Sequence, residues 1–168
     1  MSERHVIICG VAGSGKTTVS ELVAARLGWP CVEADDFHGT NRDKMARGEA
    51  LTDADRWPWL DRLNAHLKAQ AGPCVLACSA LKAAYRARLG DGLVLSFAFL
   101  DVAPAVVAAR LAARQGHYFG AGLMDSQFAI LEPPADALRC DATLPPEVIV
   151  DQILGWIGRS DFGETGGR

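Results

Sequence analysis

The amino-acid sequence predicts an α/β fold in which helices cover both faces of a central parallel sheet of about five strands, a three-layer α/β/α arrangement. Short apolar runs rich in β-branched residues alternate with segments of helical spacing, and this alternation is typical of such sheets. A chain of 168 residues suits one domain. Its composition, 49% hydrophobic and 22% charged, argues against disorder, collagen and coiled coil.

The first strand and the first helix are the clearest elements. Residues 6–9 form an apolar run that ends in glycine, and Val19, Val23 and Leu27 then recur at helical spacing until Gly28. The other strands are predicted at residues 31–34, 74–78, 93–100 and 140–144. The other helices are predicted at residues 41–48, 56–71, 80–89, 103–114, 126–131 and 145–159. We expect one domain over residues 1–159, followed by a disordered Gly-rich tail over residues 160–168.

The net charge, the length of the apolar runs and the cysteine spacing argue against several classes of protein. The net charge is −3, whereas a nucleic-acid-binding domain usually carries a basic face, so no nucleic-acid partner is expected. The longest apolar runs, residues 93–100 and 102–109, are too short to cross a membrane, and the N-terminus lacks a signal-peptide pattern. Five irregularly spaced cysteines without zinc-type histidine partners favour a reducing cytoplasm.

A phosphate-loop motif follows the first strand. The sequence GVAGSGKT at residues 10–17 matches GxxxxGK[ST] at every fixed position, with a strand before it and a helix after it. The backbone N–H groups and the helix N-terminus attract phosphate oxygens, Lys16 is expected to reach the β- and γ-phosphates, and Thr17 to ligate Mg²⁺. The predicted nucleotide-binding residues are Gly10, Val11, Ala12, Gly13, Ser14, Gly15, Lys16, Thr17 and Thr18. The alternative, a Gly-rich turn into a helix that binds no phosphate, is disfavoured because both the spacing of the motif and its position between a strand and a helix agree with a phosphate loop.

Several classes of enzyme use this loop, and other segments discriminate between them. A GTPase requires a base-reading NKxD motif, which the chain lacks, although residues 36–39 match the short DxxG pattern. Residues 95–101 resemble a Walker B strand, but Val102 stands where an AAA-type ATPase requires a catalytic acid. A small-molecule kinase therefore remains the favoured class, and a nucleotide-dependent switch is the alternative from another class.

Acidic residues after the second strand are candidates for the phosphoryl acceptor site. Asp35 and Asp36 follow this strand directly, and ligands of open parallel sheets bind beyond the carboxyl ends of the strands. A carboxylate there can orient an acceptor hydroxyl and take its proton. A helix cap or a loop acid is the structural alternative.

Cationic residues near other strand ends are candidates for anion binding. Arg56 stands at a predicted helix start, where a cation gains nothing from the helix dipole. Lys82 and Arg86 lie four residues apart after the third strand, on one helix face. Ordinary surface placement is an equally good explanation for each of them.

A further pair of arginines indicates a mobile lid. Arg110 and Arg114 are four residues apart and precede a glycine-containing loop, so we predict a lid at about residues 114–125. Such a lid excludes water and brings cations to the transferring phosphoryl group. Favourable placement of cations at a helix C-terminus is a compatible explanation.

Four segments together form a more specific pattern than any single motif. They are the phosphate loop, EADDFH at residues 33–38 continuing to DADRWPWL at 53–60, CSALK at 78–82 with Tyr85 and Arg86, and residues 110–133 with Arg110, Arg114 and SQF at 126–128. These segments resemble the small P-loop gluconokinases, which are related to shikimate and adenylate kinases. The resemblance covers roughly residues 5–155 and implies ATP- and Mg²⁺-dependent phosphorylation of D-gluconate at its terminal hydroxyl, giving 6-phospho-D-gluconate.

The resemblance also implies a role for individual residues. Asp35 would orient the acceptor, Lys16 and Arg114 would act at the phosphates, and Arg110 would lie against adenine near residues 141–145. The implied substrate-binding residues are Asp35, His38, Arg56, Lys82, Arg86, His117 and Gln127. Of these, the cations would meet the gluconate carboxylate, and the histidines and glutamine would contact its hydroxyls. The family also suggests a homodimer.

The chain departs from the family pattern in the acceptor region. The segment between His38 and Asn41 is one residue shorter than usual and lacks a proline. Ala50 replaces a usual proline, and Tyr118 replaces a common phenylalanine. Another sugar acid or a shikimate-like acceptor is therefore the alternative substrate.

Overall fold

A five-stranded parallel sheet forms the centre of the molecule. The structure is a computed structural model and describes residues 4–114 and 121–162. Its strands are β1 (Arg4–Cys9), β2 (Cys31–Glu33), β3 (Val75–Ala77), β4 (Val94–Asp101) and β5 (Leu138–Asp141). They pair in parallel in the order β2-β3-β1-β4-β5, which confirms the predicted sheet.

Helices flank this sheet. They are α1 (Lys16–Leu27), α2 (Asn41–Ala46), α3 (Asp53–Lys68), α4 (Ala83–Leu89), α5 (Pro104–Ala113), α6 (Ala121–Ile130) and α7 (Pro146–Phe162). The path from β1 to β2 runs across the sheet in one direction, and the path from β2 to β3 runs back. Right-handed crossovers therefore place α1 and α3 on opposite faces. In agreement, α1 packs against α7, whereas α3 packs against α4.

The core lies between these layers and holds the strand ends in place. Ile7, Ile8 and Leu76 in the central strands and Leu60 and Leu63 in α3 are fully buried and belong to one hydrophobic core. Truncation of such a leucine to alanine typically lowers stability by about 2–5 kcal/mol. The loops at the carboxyl ends of β1, β2 and β3 therefore rest on a rigid base.

Two helices on the α3 face begin at other residues than predicted. Helix α3 begins at Asp53 rather than residue 56, because Thr52 and Asp55 form a capping box: the Thr52 side chain accepts from the Asp55 N–H, and the Asp55 carboxylate accepts from the Thr52 N–H. Helix α4 begins at Ala83 rather than residue 80, because Ala80 adopts a left-handed φ of 43°.

The C-terminal elements also differ from their predicted bounds. Strand β5 ends at Asp141 rather than residue 144, because the Asp141 carboxylate accepts hydrogen bonds from the Thr143 N–H at 2.9 Å and its hydroxyl at 2.6 Å, which forms a turn. Helix α7 continues through Phe162, past its predicted end at residue 159. The rest of the predicted tail, residues 163–168, lies outside the described residues. In residues 4–114 and 121–162, no helix is long and apolar enough to cross a membrane.

Candidate active site

The phosphate loop joins β1 to α1 by a turn that requires glycine. Gly13 has φ 79° and Gly15 has φ 97°, both in the left-handed region that side chains disfavour. A Cβ added to Gly13 would also lie 3.0 Å from Val107 Cγ1. Gly15 directly precedes α1 and offers no side-chain cap, so the first N–H groups of this helix are available to phosphate oxygens.

The two functional side chains of the loop have partners within the protein. Lys16 Nζ donates to the Val11 carbonyl at 2.8 Å, and burial is the main cause that lowers the pKa of this lysine. The Thr17 hydroxyl donates to Glu33 Oε2 at 2.8 Å, and burial raises the pKa of Glu33. Hydroxyl and carboxylate oxygens are the donors that Mg²⁺ prefers, so this pair fits the ion. Ser14 Oγ is buried and lacks a hydrogen-bond partner among the described residues.

Asp35 lies in the 3₁₀ turn Ala34–Phe37 that follows β2. Its Oδ1 is 3.5 Å from His38 Nε2, and this hydrogen bond is the main cause that lowers the Asp35 pKa; Lys16 contributes to the same effect. The carboxylate is therefore ionised at neutral pH and able to accept a proton.

His38 is held beneath this carboxylate. Its ring is 4% exposed and stacks on Trp59 with a centroid distance of 4.2 Å, while Trp59 Nε1 donates to the Ala34 carbonyl at 2.8 Å. His38 Nδ1 has no hydrogen-bond partner in the described part of the chain. This ring therefore offers one unsatisfied polar atom, as a residue that meets a ligand would.

Arg56 is a buried cation in the first turn of α3. It is 7% exposed, and its Nη1 donates to the Leu51 carbonyl at 2.6 Å and to the Tyr85 hydroxyl at 3.3 Å. A guanidinium has five N–H donors, so this arrangement leaves donors for an anion.

One cleft at the carboxyl ends of the strands contains both groups of residues. One wall of the cleft, here called the phosphate wall, includes Ala12, Gly13, Gly15, Lys16, Thr17, Thr18 and Glu33. A second wall, here called the acceptor wall because it contains the predicted acceptor-site residues, includes Asp35, His38, Met45, Leu51, Arg56, Trp59 and Ser79. Arg114, Leu123 and Gln127 close a third side. The structure thus places the phosphate loop and the Asp35 carboxylate around one cavity.

Two of the three cations predicted to meet the substrate carboxylate lie outside this lining. Lys82 Nζ is 3.2 Å from Asp53 Oδ1, and its side chain is partly exposed. Arg86 donates to the Ala80 carbonyl at 2.7 Å and to the Glu132 carbonyl at 2.9 Å, so its guanidinium ties α4 to neighbouring backbone. The structure therefore does not bring these two side chains together with Arg56 at the cleft.

Two side chains that flank the predicted lid contact the phosphate loop. Arg110 donates to the Gly13 carbonyl at 3.1 Å and to the Ala142 carbonyl at 2.5 Å, and so joins the phosphate loop to the loop after β5. Gln127 Oε1 accepts from the Ala12 N–H at 2.7 Å. His117 lies outside the described residues, as do all of residues 115–120 of the predicted lid, whereas residues 121–125 belong to α6.

Some cleft residues were not predicted from the sequence. Glu33 could have been inferred, because it ends β2 at the same sheet edge as Asp35. Trp59 could not have been inferred, since its helical spacing is the same for a core residue and for a residue that lines a ligand cavity. Met45, Leu51 and Leu123 carry no chemical signal that distinguishes them from ordinary apolar residues.

The fold and the cleft define a P-loop phosphotransferase domain. In agreement, the family model described as AAA domain matches residues 6–134, so the chain belongs to that P-loop family. A gluconokinase of Gluconobacter oxydans (strain 621H) is 42% identical, with 92% of this chain and 91% of the relative covered. The chain belongs to the gluconokinase family.

Solved structures agree with this assignment. A sugar kinase from Janibacter sp. HTCC2649 superposes with a TM-score of 0.87 at 40% identity, covering 93% of this chain and 95% of the other. A gluconokinase from Sinorhizobium meliloti 1021 gives a TM-score of 0.87 at 35% identity, covering 97% of both chains. The P-loop kinase fold predicted from the sequence is confirmed.

Proposed function

We propose that the protein transfers the γ-phosphoryl group of ATP to the terminal hydroxyl of D-gluconate, giving 6-phospho-D-gluconate and ADP. The observation that carries this proposal is the presence of Lys16, Asp35 and Arg56 around one cleft. The lysine suits a polyphosphate, the carboxylate suits an attacking hydroxyl, and the arginine suits the carboxylate of a sugar acid. The choice of gluconate among the sugar acids rests on the relatives, which are gluconokinases.

The proposed reaction is an in-line displacement. Asp35 accepts a hydrogen bond from the terminal hydroxyl, and it takes the proton as this oxygen bonds to the γ-phosphorus. The bond between that phosphorus and the β,γ-bridging oxygen breaks, so ADP leaves. Lys16 and Arg114 offset negative charge on the transferring group, and Arg56 holds the carboxylate at the far end of the substrate.

The remaining roles extend this scheme. Thr17, with Glu33 beside it, would hold Mg²⁺, which offsets phosphate charge when bound. His38, Gln127 and His117 would contact the hydroxyls of the polyol, and Arg110 would border the adenine. We further propose a cytoplasmic enzyme that acts as a homodimer.

The substrate is tested by measuring ADP formation with gluconate, shikimate, other sugar acids and nucleoside monophosphates. We expect gluconate to give the highest kcat/KM and the product to carry phosphate at the terminal carbon, as ³¹P NMR can determine. Faster turnover with another acceptor would overturn the substrate assignment. Slow ATP hydrolysis that gluconate does not change would instead indicate a nucleotide-dependent switch.

A further inference from the structure

A carboxylate in the same helix as Arg56 is placed to compete with an anionic ligand for the charge of the guanidinium. Asp53 precedes it by three residues in the first turn of α3, and side chains at this spacing meet on one helix face. An ion pair between the two would neutralise the guanidinium and occupy its donors. The described ion pair of Asp53 is instead with Lys82, whose Nζ lies 3.2 Å from Oδ1 and 3.5 Å from Oδ2.

Tyr85 stands between Asp53 and Arg56. Its hydroxyl donates a hydrogen bond to Asp53 Oδ1 and accepts one from Arg56 Nη1 at 3.3 Å. A phenol has one proton, so the hydroxyl that donates to the carboxylate presents only lone pairs to the guanidinium. The ring is 1% exposed and lies 5.2 Å from the Arg56 guanidinium carbon and 5.5 Å from Lys82 Nζ.

These contacts separate two cations with different surroundings. Arg56 lines the cleft and is buried, whereas Lys82 lies outside the lining and is bound to Asp53. We infer that Lys82 and Tyr85 hold Asp53 away from Arg56, so that Arg56 keeps its positive charge and its donors for the carboxylate of the acceptor. Lys82 is then a positioning residue that acts through Asp53. This inference rests on the proposed function.

A double substitution distinguishes this role from direct contact with the substrate. Lys82→Met releases Asp53 toward Arg56, and we expect the KM for gluconate to rise about three- to fivefold, the upper range for a partly exposed ion pair, with kcat and the KM for ATP within about twofold. Asp53→Asn alone removes the competitor, and we expect it to leave the KM for gluconate within about twofold. In the double variant, we expect the KM for gluconate to return to within about twofold of the unmodified protein.

Two results would overturn the inference. If Asp53→Asn fails to relieve the Lys82→Met defect, Lys82 contacts the substrate itself. If Lys82→Met leaves the KM for gluconate unchanged, the ion pair has no influence on Arg56. The matched control is Arg88→Met, because Arg88 in α4 pairs with Asp61 in α3 at 2.6 Å, and neither residue lines the cleft. We expect this control to leave both KM values unchanged.

Tyr85→Phe tests the hydroxyl separately and preserves the buried ring. We expect the KM for gluconate to rise several-fold with an unchanged KM for ATP, and Asp53→Asn to relieve this defect too. An unchanged KM for gluconate would exclude Tyr85 from the arrangement. Melting temperatures of all variants establish that they fold. Failure of the proposed function is recognised separately, because the unmodified protein would then show no gluconate-dependent turnover, and the inference would fall with it.

Discussion

The two walls of the cleft are built in different ways. Apart from Glu33, the residues of the phosphate wall all come from one short segment, residues 12–18, in which backbone N–H groups and glycine conformations form the binding surface. The acceptor wall takes side chains from the turn after β2, from α2, from α3 and from the ends of neighbouring loops. The phosphate wall is thus formed mainly by residues close together in sequence, whereas the acceptor wall is formed by residues that only the tertiary fold brings together.

This difference determines how each wall responds to substitution. Backbone N–H groups do not titrate and are fixed by the path of the chain, so the phosphate wall depends on few side chains. The acceptor wall depends instead on pairs of side chains: a hydrogen bond from His38 stabilises the ionised form of Asp35, and outside the wall Asp53 is bound to Tyr85 and Lys82. Changes on the acceptor wall should therefore be specific to one substrate.

The largest effect is expected from Asp35→Asn, which keeps the shape and removes the proton acceptor. We expect kcat to fall about 10²–10⁴-fold, while the KM for ATP changes little. Asp36→Asn is the matched control, because Asp36 is exposed and its described ion pair is with Arg42 at 3.3 Å. An unchanged kcat in Asp35→Asn, or an equal loss in the control, would remove Asp35 from the mechanism.

The second effect concerns Arg56→Ala. We expect the KM for gluconate to rise about 30-fold or more, since truncating one partner of a buried charge pair typically costs at least about 2 kcal/mol. The KM for ATP should remain unchanged, and Arg56→Lys should be intermediate because lysine keeps the charge without the planar fork. A rise confined to the KM for ATP would assign Arg56 to the other wall.

The third prediction addresses the phosphate wall through Gly13→Ala. A side chain at φ 79°, with Val107 Cγ1 only 3.0 Å from the new Cβ, should lower the free energy of unfolding by about 1–2 kcal/mol and raise the KM for ATP. Gly28→Ala is the control, because Gly28 has φ 69° but nothing within 4 Å of the added Cβ. The control should lose similar stability in denaturant titrations without any change in the KM for ATP. Equal KM values in both variants would contradict the assignment of Gly13 to the nucleotide.

The smallest effect is expected at the cap of α3, the helix that carries Arg56. Thr52→Ala should lower the free energy of unfolding by about 1 kcal/mol and raise the KM for gluconate slightly, with no effect on ATP.

Acid titration tests Asp55, the second residue of this capping box. A hydrogen bond from Lys44 is the main cause that lowers the pKa of Asp55 from 3.8 to about 2. A folded-state pKa below the unfolded one stabilises the protein above the unfolded pKa, and this contribution disappears as the pH falls toward 2. The unmodified protein should therefore lose stability more steeply than Asp55→Asn over this range. Parallel curves from urea unfolding would be inconsistent with the pairing.

The same contrast explains how much could be predicted from the sequence. The phosphate loop and helix α1 were predicted correctly, because motif, strand and helix are contiguous. The position of Asp35 follows from its place after a parallel strand. The sequence does not determine which cations face the cleft: Lys82 contacts Asp53 from a distant part of the chain, and Arg86 binds two backbone carbonyls. Such choices depend on tertiary partners.

The hydrogen bonds of the Arg110 guanidinium limit which parts of the protein can change independently in evolution. It bonds the carbonyl of Gly13 and the carbonyl of Ala142, so the turn that holds phosphates and the turn that follows the last strand are cross-linked. A displacement of one turn is transmitted to the other. If the second turn borders the adenine, as the proposed function has it, selection for a different nucleobase there would disturb triphosphate alignment unless the arginine were replaced at the same time.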